Sequence, residues 1–401
     1  MNSENRDHVP LWRFVDLSEF ERPPEPAGEK VRRGFLGVWD RLFGKEGPRG
    51  GSEDRLESGL GDLPGFALLA PDWREAVPAL HEDLKEWCEL GEERDPLRLV
   101  LNAPHGGLRR VVSLYAGQGN WRIIEPPEAS RLLAGGRDRL RELDFRDETP
   151  WVIPGLEEWY LRHHNALDPV RELLDILASR RRPTLICCDS WAWAYLCGTV
   201  QPDLVLPPPL TMGPFDRERL SLWFGSLLHI EGGCSPLYRQ TNSEKFILPP
   251  AETPGDREEL EISDFLGRLA SFSRGNPGVA WALWHRSLNG AGVEDQVAAT
   301  GKRVCTIWMK PWQDLDMPVL PQRNRSRLAM VLHALLLHNG LETGILPELL
   351  PNLAHVVRQD LHDLREAGLV DREHGVWRVT AVAYPVVRAT LEGEDFLVDG
   401  L

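Results

Sequence analysis

Residues 103–110 could bind an anion, because of where they stand between apolar segments. The run PLRLVL predicts a buried strand, and the residues after it, NAPHGGLRRVVSLYAG, predict a turn followed at once by a helix. A helix that starts directly after a strand presents free N–H groups, and phosphate-binding loops hold their ligand in this way. The spacing therefore points to phosphate chemistry at this turn.

The loop has the length of the GxxxxGK[ST] pattern, but its residues differ at the chemical positions. Ala103 stands for the first glycine, Leu108 for the second, Arg109 for the lysine and Arg110 for the Ser or Thr. Glycine lets the backbone wrap a phosphate, lysine reaches its oxygens, and the hydroxyl ligates Mg²⁺. Arg109 keeps a charge that attracts phosphate, whereas Arg110 cannot ligate magnesium. An ordinary strand-turn-helix without a ligand is the other interpretation.

The composition is typical of a folded protein of two or three domains. The chain has 401 residues, 42% hydrophobic and 27% charged, with no signal segment in MNSENRDHVPLWRF and no apolar run near 18 residues. These features predict a cytoplasmic location. The net charge of −15 opposes binding to nucleic acid in general.

The six cysteines do not form a recognisable metal or redox motif. There is no CxxC pair and no histidine at zinc spacing, so we expect reduced thiols. The pair His163–His164 is a weak candidate for acid-base or metal chemistry, and a surface or capping role fits it better.

Strands alternate with helices after the loop, which predicts an α/β fold with a parallel sheet covered on both faces. The expected strands are 97–101, 122–124, 150–154, 184–188 and 204–206, and the expected helices include 129–143, 167–180 and one from about 216.

The first 61 residues are predicted to be a flexible tail, because Pro and Gly recur throughout them. Within the tail, residues 30–45 have the apolar periodicity of an amphipathic helix. Such a helix docks on protein or lies on an anionic membrane surface, and both alternatives stay open.

Residues 323–401 form a separate pattern. Three helices, RSRLAMVLHALLLHNG, one near 345–349 and one at 353–367, precede a strand pair in LVDREHGVWRVT. This order is typical of a winged helix. Its third helix carries Arg358 and Arg365 beside Asp360, Asp363 and Glu366, and the segment has eight Arg and no Lys against eleven acids, a net charge of −3. We therefore expect it to bind protein rather than DNA.

From about residue 65 onward, the order of these elements resembles AAA+ and STAND-like ATPases of the origin-recognition and transposition type. The resemblance implies a P-loop NTPase-like core at 62–245, a helical lid and linker at 246–322, and a winged-helix domain at 323–401. In that pattern WVIPGLEEWYL matches the strand that ends in Asp-Glu, but Pro154 and Gly155 stand at the acidic positions. Glu157 and Glu158 follow too late in register to replace them.

The next strand, TLICCDSWAWAYL, matches the sensor strand, with Asp189 and Ser190 at its polar end. Assigning this strand to the acidic motif instead, with Asp189 as the magnesium ligand, is a second option. The lid sequence LASFSRGNPGVAWALW lacks an arginine just after its glycine, since Val279 and Ala280 stand there and Arg274 comes earlier.

The resemblance implies a nucleotide cleft, with ATP or ADP as the cofactor and no metal expected. Its candidate residues come from the loop, the sensor strand and the lid: Ala103, Pro104, His105, Gly106, Gly107, Leu108, Arg109, Arg110, Asp189, Ser190, Gly275 and Asn276. No residue is predicted to be catalytic. Four elements depart from the pattern, namely the loop lysine, the magnesium hydroxyl, the acid pair and the sensor arginine, so little hydrolysis is expected.

These observations favour a regulatory or scaffolding relative of the AAA+ ATPases that acts through protein partners. The winged helix and helix 30–45 would contact those partners, and an oligomer is compatible with the sequence. Two alternatives stay open: an active ATPase with relaxed motifs that uses Asp189 or Glu157 and Glu158 for magnesium, and a DNA-binding regulator. The aromatic run at Trp191, Trp193 and Tyr195 could stack a base, although core packing or an interdomain contact explains it as well.

Overall fold

A computed structural model describes residues 10–24, 71–89, 95–136, 140, 149–227, 234–250, 261–297 and 303–401. The predicted helix at 30–45 lies outside these residues and stays a prediction. Among the helices that are described, none combines the length and apolar character needed to cross a membrane.

The central element is a six-stranded sheet of order β1-β6-β2-β5-β4-β3. Its first strand pairs antiparallel with β6, and the other five strands run parallel. The predicted α/β class with a mostly parallel sheet is therefore confirmed. The strands are β1 Phe14–Asp16, β2 Leu97–Asn102, β3 Arg122–Ile123, β4 Trp151–Ile153, β5 Thr184–Asp189 and β6 Leu210–Met212.

One predicted strand was misplaced. Residues 204–206 do not form the fifth parallel strand, since Pro202–Leu204 is a 3-10 helix and the strand is β6, six residues later. The run PPP at 207–209 explains the shift, because proline has no N–H to donate to a sheet ladder.

Both faces of the sheet are covered, and the alternation along the strands decides which residue faces which layer. Val100 and Cys187 belong to one apolar core, while Leu99 and Cys188 belong to the other. The helices of this region are α1 Val77–Glu89, α2 Leu108–Gln118, α3 Ala129–Leu133, α4 Asp168–Ser179, α5 Ser190–Thr199 and α6 Arg217–Ser226.

The range predicted as a helical lid and linker contains two helices and also two strands. The helices are α7 Phe265–Phe272 and α8 Pro277–Ser287, and the strands are β8 Leu288–Val297 and β9 Arg303–Met309. Together with β7 Cys234–Gln240 they form a sheet of order β7-β9-β8. The polar and glycine-containing sequence of β8, LNGAGVEDQV, gave no apolar alternation from which to predict it.

Cys305 on β9 forms a disulfide. The expectation that all six cysteines are reduced thiols is therefore wrong for this residue. Closely spaced motifs such as CxxC can be recognised in a sequence, whereas cysteines that come together only through the fold cannot.

The C-terminal unit consists of four helices and a small sheet of order β10-β12-β11. Its hairpin turns at His374 and Gly375, which both have positive φ, as a tight two-residue turn requires. Helix α9 is buried nearly all round because it lies between this unit and α5 of the sheet layer. The elements are α9 Arg325–Leu337, β10 Leu341–Glu342, α10 Leu346–Leu349, α11 Ala354–Glu366, β11 Val370–Glu373, β12 Val376–Val379 and α12 Tyr384–Gly393.

Candidate functional site

The loop between β2 and α2 begins with a tight turn. The Gly106 N–H donates to the oxygen of Ala103 at 2.8 Å, with Pro104 and His105 at the two central positions. The φ of His105 is +66°, in the region that type II turns normally fill with glycine. Gly107, with φ of +76°, then starts helix α2. The loop therefore reaches the helix by two left-handed residues.

Asn102, the last residue of β2, closes this loop from inside. Its Oδ1 accepts a hydrogen bond from the N–H of Leu108 at 3.1 Å, which is one of the free N–H groups at the start of α2. The Gly106 N–H is also used within the loop. Two donors that a phosphate would need are thus satisfied by the chain itself.

The side chain of Arg109 is held by two glutamates. Its NH1 and NH2 groups donate to Glu158 at 2.7 and 2.6 Å, and NH1 lies 3.5 Å from Oε1 of Glu157. Burial opposes the charge on Arg109, but the hydrogen bonds and charge of Glu158 outweigh it and raise the arginine pKa. Arg110 points to solvent instead. The predicted phosphate contact is therefore already paired with carboxylates.

Glu157 and Asp189 meet at the carboxyl ends of neighbouring strands. The chain after β4 forms the 3-10 helix Leu156–Trp159, which brings the buried Glu157 to Asp189, whose N–H donates to Oε2 at 3.0 Å. In the register of an extended strand, Glu157 would lie beyond this edge of the sheet. The short helix removes that objection for Glu157, while Glu158 reaches Arg109.

Both buried carboxyl groups are pushed towards their neutral forms. Desolvation raises the pKa of Glu157, with the charge of Arg109 opposing the shift and that of Glu158 adding to it. Desolvation and then the charge of Glu157 raise the pKa of Asp189 well above its ordinary value. Oδ1 of Asp189 caps helix α5 by accepting from Trp191, whereas Oδ2 is buried without a partner among the described residues. Protonated carboxyls are poor ligands for magnesium.

The lid residues predicted for the site do reach the loop. Asn276 donates from Nδ2 to the oxygen of Pro104 at 2.7 Å, and its Oδ1 caps helix α8. Gly278 lies so close to His105 that a Cβ atom there would stand 1.9 Å from the His105 oxygen. Gly275, with φ of +77°, packs on Pro214. The fold therefore assembles the predicted loop and lid in one place.

Ser190 lies at the same place but faces the C-terminal unit, since it donates to Asp399 at 2.6 Å. No motif marks Asp399, Arg388 or Asn102 as site residues, and Arg274 stands before the position where the pattern has its arginine. The one sequence feature that could have drawn attention to Asp399 is its position among apolar residues in FLVDGL. Its arginine partners, distant along the chain, could not be inferred from it.

A cavity of about 30 Å³ remains between loop, lid and C-terminal unit. That volume accommodates a water molecule or two. Residues of all three regions line it, among them Ala103, Gly106, Asn276, Tyr384 and Leu401. In this conformation the three regions leave little enclosed space beside the loop.

The remaining candidate residues do not form a second functional site within the described ranges. Across the described ranges, no group of three or more His, Cys, Asp or Glu residues is placed to hold a metal ion. The rings of His163 and His164 contact each other at 4.1 Å. Trp191 is fully buried and donates from Nε1 to the Tyr384 hydroxyl, so it makes an interdomain contact.

The third helix of the C-terminal unit, α11, has fewer exposed acids than its sequence suggests. Asp360 is buried and accepts a bidentate hydrogen bond from Arg327 on α9. Arg358 and Arg365 remain exposed, and Asp363 is half-buried. The exposed face of α11 is therefore nearly neutral rather than acidic, and it has no cluster of cations for phosphates.

The sequence matches no protein-family profile and no curated protein. Among solved structures, the chain is similar to Cdc6p of Pyrobaculum aerophilum, with 12% identity and a TM-score of 0.29 over 84% of this chain and 98% of that one. A Walker-type ATPase of Pyrococcus abyssi is 14% identical, with a TM-score of 0.34 over 82% of this chain and 99% of that one. The ORC1 protein of Aeropyrum pernix, solved in complex with DNA, is 14% identical, with a TM-score of 0.30 over 84% of this chain and 97% of that one. TM-scores this low carry no argument about the function of this chain.

Proposed function

We propose that this chain is a degenerate AAA+ ATPase-like protein with a regulatory or scaffolding role and with weak or no nucleotide hydrolysis. The observation that carries the proposal is the pairing of Arg109 with Glu158 at 2.6 and 2.7 Å. In a working site the loop cation faces phosphate and the acids face magnesium. Here the two charges face each other.

The order of the strands supports the AAA+ part of the proposal. Strand β5 lies between the loop strand β2 and the strand β4, so the predicted sensor strand is inserted beside the loop. Asn102 and Asp189 are partners in register at the carboxyl ends of β2 and β5. Ligands of open α/β sheets bind outside this edge.

The proposal of weak or no hydrolysis is supported by the groups present at that edge. Phosphoryl transfer needs a metal and a fixed cation to neutralise the developing charge. Burial favours the neutral forms of Glu157 and Asp189, and Arg110 is exposed where the pattern has a hydroxyl. An active ATPase with relaxed motifs would have to ionise both buried acids, which costs free energy.

ATP or ADP is the cofactor we propose for the cleft, bound only when Arg109 leaves Glu158. We propose a cytoplasmic location and protein partners for the chain. The C-terminal unit, as a winged helix, would contact them, and the exposed Leu353 just before α11 is a candidate contact. The near-neutral face of α11 gives no support to the DNA-binding alternative.

Calorimetric titration of the full chain with ATP and with ADP, with and without Mg²⁺, tests the proposal. The wild type should bind weakly, and Glu158→Gln should bind roughly tenfold more tightly because the arginine loses a charged partner. Glu261→Gln is the matched control, since Glu261 pairs with Lys245 on an exposed surface away from the loop.

A hydrolysis assay on the same samples provides the opposing outcome. Magnesium-dependent turnover by the wild type that disappears in Arg109→Ala would establish an active ATPase and overturn the proposal. Equal ATP affinity of the wild type and Glu158→Gln would show that the Arg109 pair does not limit binding.

A further inference from the structure

The segment 396–401 follows helix α12 and runs back into the cleft. The chain turns at Asp395, which has φ of +58°, and continues towards the sheet. Asp399 is 3% exposed and Leu401 is 5% exposed, although both belong to a stretch without helix or strand. Such burial of an irregular segment requires that its polar groups find partners.

The carboxylate of Asp399 has partners from two parts of the fold. Its Oδ2 accepts from Ser190 at 2.6 Å and from the Tyr384 hydroxyl at 3.3 Å, and its Oδ1 accepts from Nε of Arg388 at 2.9 Å. Arg388 also donates to the main-chain oxygen of Asp399 at 2.9 Å. Asp399 therefore links α5 of the sheet layer to α12 of the C-terminal unit.

Two more arginines hold the main chain of the segment. Arg22 donates to the oxygen of Gly400 at 2.8 Å, and Arg274 of the lid donates to the oxygen of Leu401 at 2.9 and 2.6 Å. Burial, followed by the charges of Arg388 and Arg22, lowers the pKa of Arg274 to about 10. The guanidinium groups are thus close enough to repel one another.

The counterions in this cluster are shared unevenly. Arg388 has Asp399 and also Glu392 at 3.0 Å as counterions. Arg22 donates to the carbonyl oxygen of Gly400, which has no net charge, and the charge of Asp399 also acts on Arg22 and Arg274. A phosphate group would offer Arg22 and Arg274 anionic oxygens in place of the main-chain oxygens that they contact.

We propose that segment 396–401 is an intramolecular occupant of the cleft, and that a phosphate-bearing nucleotide must displace it to reach the loop. Leu401 lines the remaining cavity together with Ala103 and Gly106, so the segment fills space directly beside the loop. The inference rests on the proposed function, because it names what regulates binding at the same site. A protein in this state binds nucleotide with an affinity reduced by the fraction of chains whose cleft is closed.

Asp399→Asn in the full chain tests the inference by two measurements. Hydrogen exchange of the amides in 396–401 should become faster, and ATP titrated into the variant should bind about tenfold more tightly than to the wild type. Asp395→Asn is the matched control, because Asp395 is an exposed aspartate in the same turn and asparagine tolerates its positive φ. Its exchange and affinity should match the wild type.

Faster exchange in Asp399→Asn without tighter ATP binding would overturn the inference. If Asp399→Asn does not fold, the same two measurements are made on the wild type and on Ser190→Ala, which removes only one hydrogen bond to Asp399. In the folded wild type, saturating ATP should accelerate exchange in 396–401, and bound ATP that leaves this exchange unchanged would also overturn the inference. The failure of the proposed function is separate, since it shows as wild-type turnover whatever the segment does.

Discussion

Asn276 donates a hydrogen bond of 2.7 Å from its side chain to the main-chain oxygen of Pro104, and this bond ties the start of the lid helix α8 to the loop. The same asparagine caps α8 through its Oδ1, so one side chain satisfies both elements. The hydrogen bond holds the loop turn against the lid. Movement of the lid away from the loop would break this bond.

Gly278→Ala should destabilise the protein by about 3 kcal/mol, because the new Cβ would overlap the His105 oxygen and overpacked sites cost energy of this order. The free energy of unfolding in urea measures the effect. Gly267→Ala on α7 is the control, since its Cβ would meet nothing within 4 Å. That variant should be more stable by about 0.5–1 kcal/mol, as alanine favours helices. Equal stability of the two variants would contradict the close contact between lid and loop.

Asp189→Asn should stabilise the protein at pH 8, and less so at pH 5. The pKa of Asp189 is raised in the folded state, so folded chains keep a proton that unfolded chains release as the pH rises above the ordinary value. Stability is therefore lost with rising pH, and asparagine abolishes this loss while keeping the oxygen that caps Trp191. The gain should therefore be larger at pH 8 than at pH 5. Denaturation at both pH values measures it, and a larger gain at pH 5 would refute the raised pKa.

His333 and His338 should make the protein less stable in acid. Burial, reinforced by the charge of Arg162, lowers their pKa values to about 4 and about 3. Unfolded chains bind protons near pH 6.5, whereas folded chains do not, so stability is full above that pH and is lost as the pH falls. At pH 5 each histidine costs about 2 kcal/mol.

The double variant His333→Gln, His338→Gln should therefore lose much less stability between pH 7 and pH 5 than the wild type. His355→Gln on α11 is the control, because His355 is exposed. An unchanged pH dependence in the double variant would show that the two rings are not buried as neutral groups.

Tyr384→Phe should destabilise the contact between the sheet layer and the C-terminal unit. The hydroxyl accepts from Nε1 of Trp191 at 3.0 Å, and a fully buried indole N–H left without an acceptor costs about 1–3 kcal/mol. Tyr238→Phe is a fair comparison, since the ring of Tyr238 is also buried and packs against Trp284 instead of Trp191. Urea denaturation should separate the two variants, and an equal effect would argue against the Trp191 contact.

Much of the fold could be predicted because apolar runs and periodicity are local signals. The strand before the loop was expected at 97–101 and is found at Leu97–Asn102, and the helix expected at 167–180 is Asp168–Ser179. The flexible tail predicted for residues 1–61 is wrong at Phe14–Asp16, which form the edge strand β1 against β6, since three residues, FVD, are too few for any pattern. Helix α5 was missed because its sequence, SWAWAYLCGT, alternates like a strand.

The sequence indicated that the loop and the lid lie close together, but it did not indicate how their side chains are paired. The loop and lid residues do come together, as the resemblance implied, yet the pairing of Arg109 with Glu158 depends on a 3-10 helix that no periodicity reveals. The closure of the loop by Asn102 likewise depends on a rotamer. Contacts such as these are decided by tertiary packing, which single-sequence patterns do not encode.

The hydrogen bond between Arg22 and Gly400 joins residues that are 378 positions apart. The ladder between Phe14 and Met212 closes another long loop in the same region. The entropy of closing such loops must be met before their contacts contribute, so distant pairings of this kind slow folding. We expect closure of the cleft to be among the last steps of folding, which leaves the loop exposed in newly made chains and enclosed in mature ones.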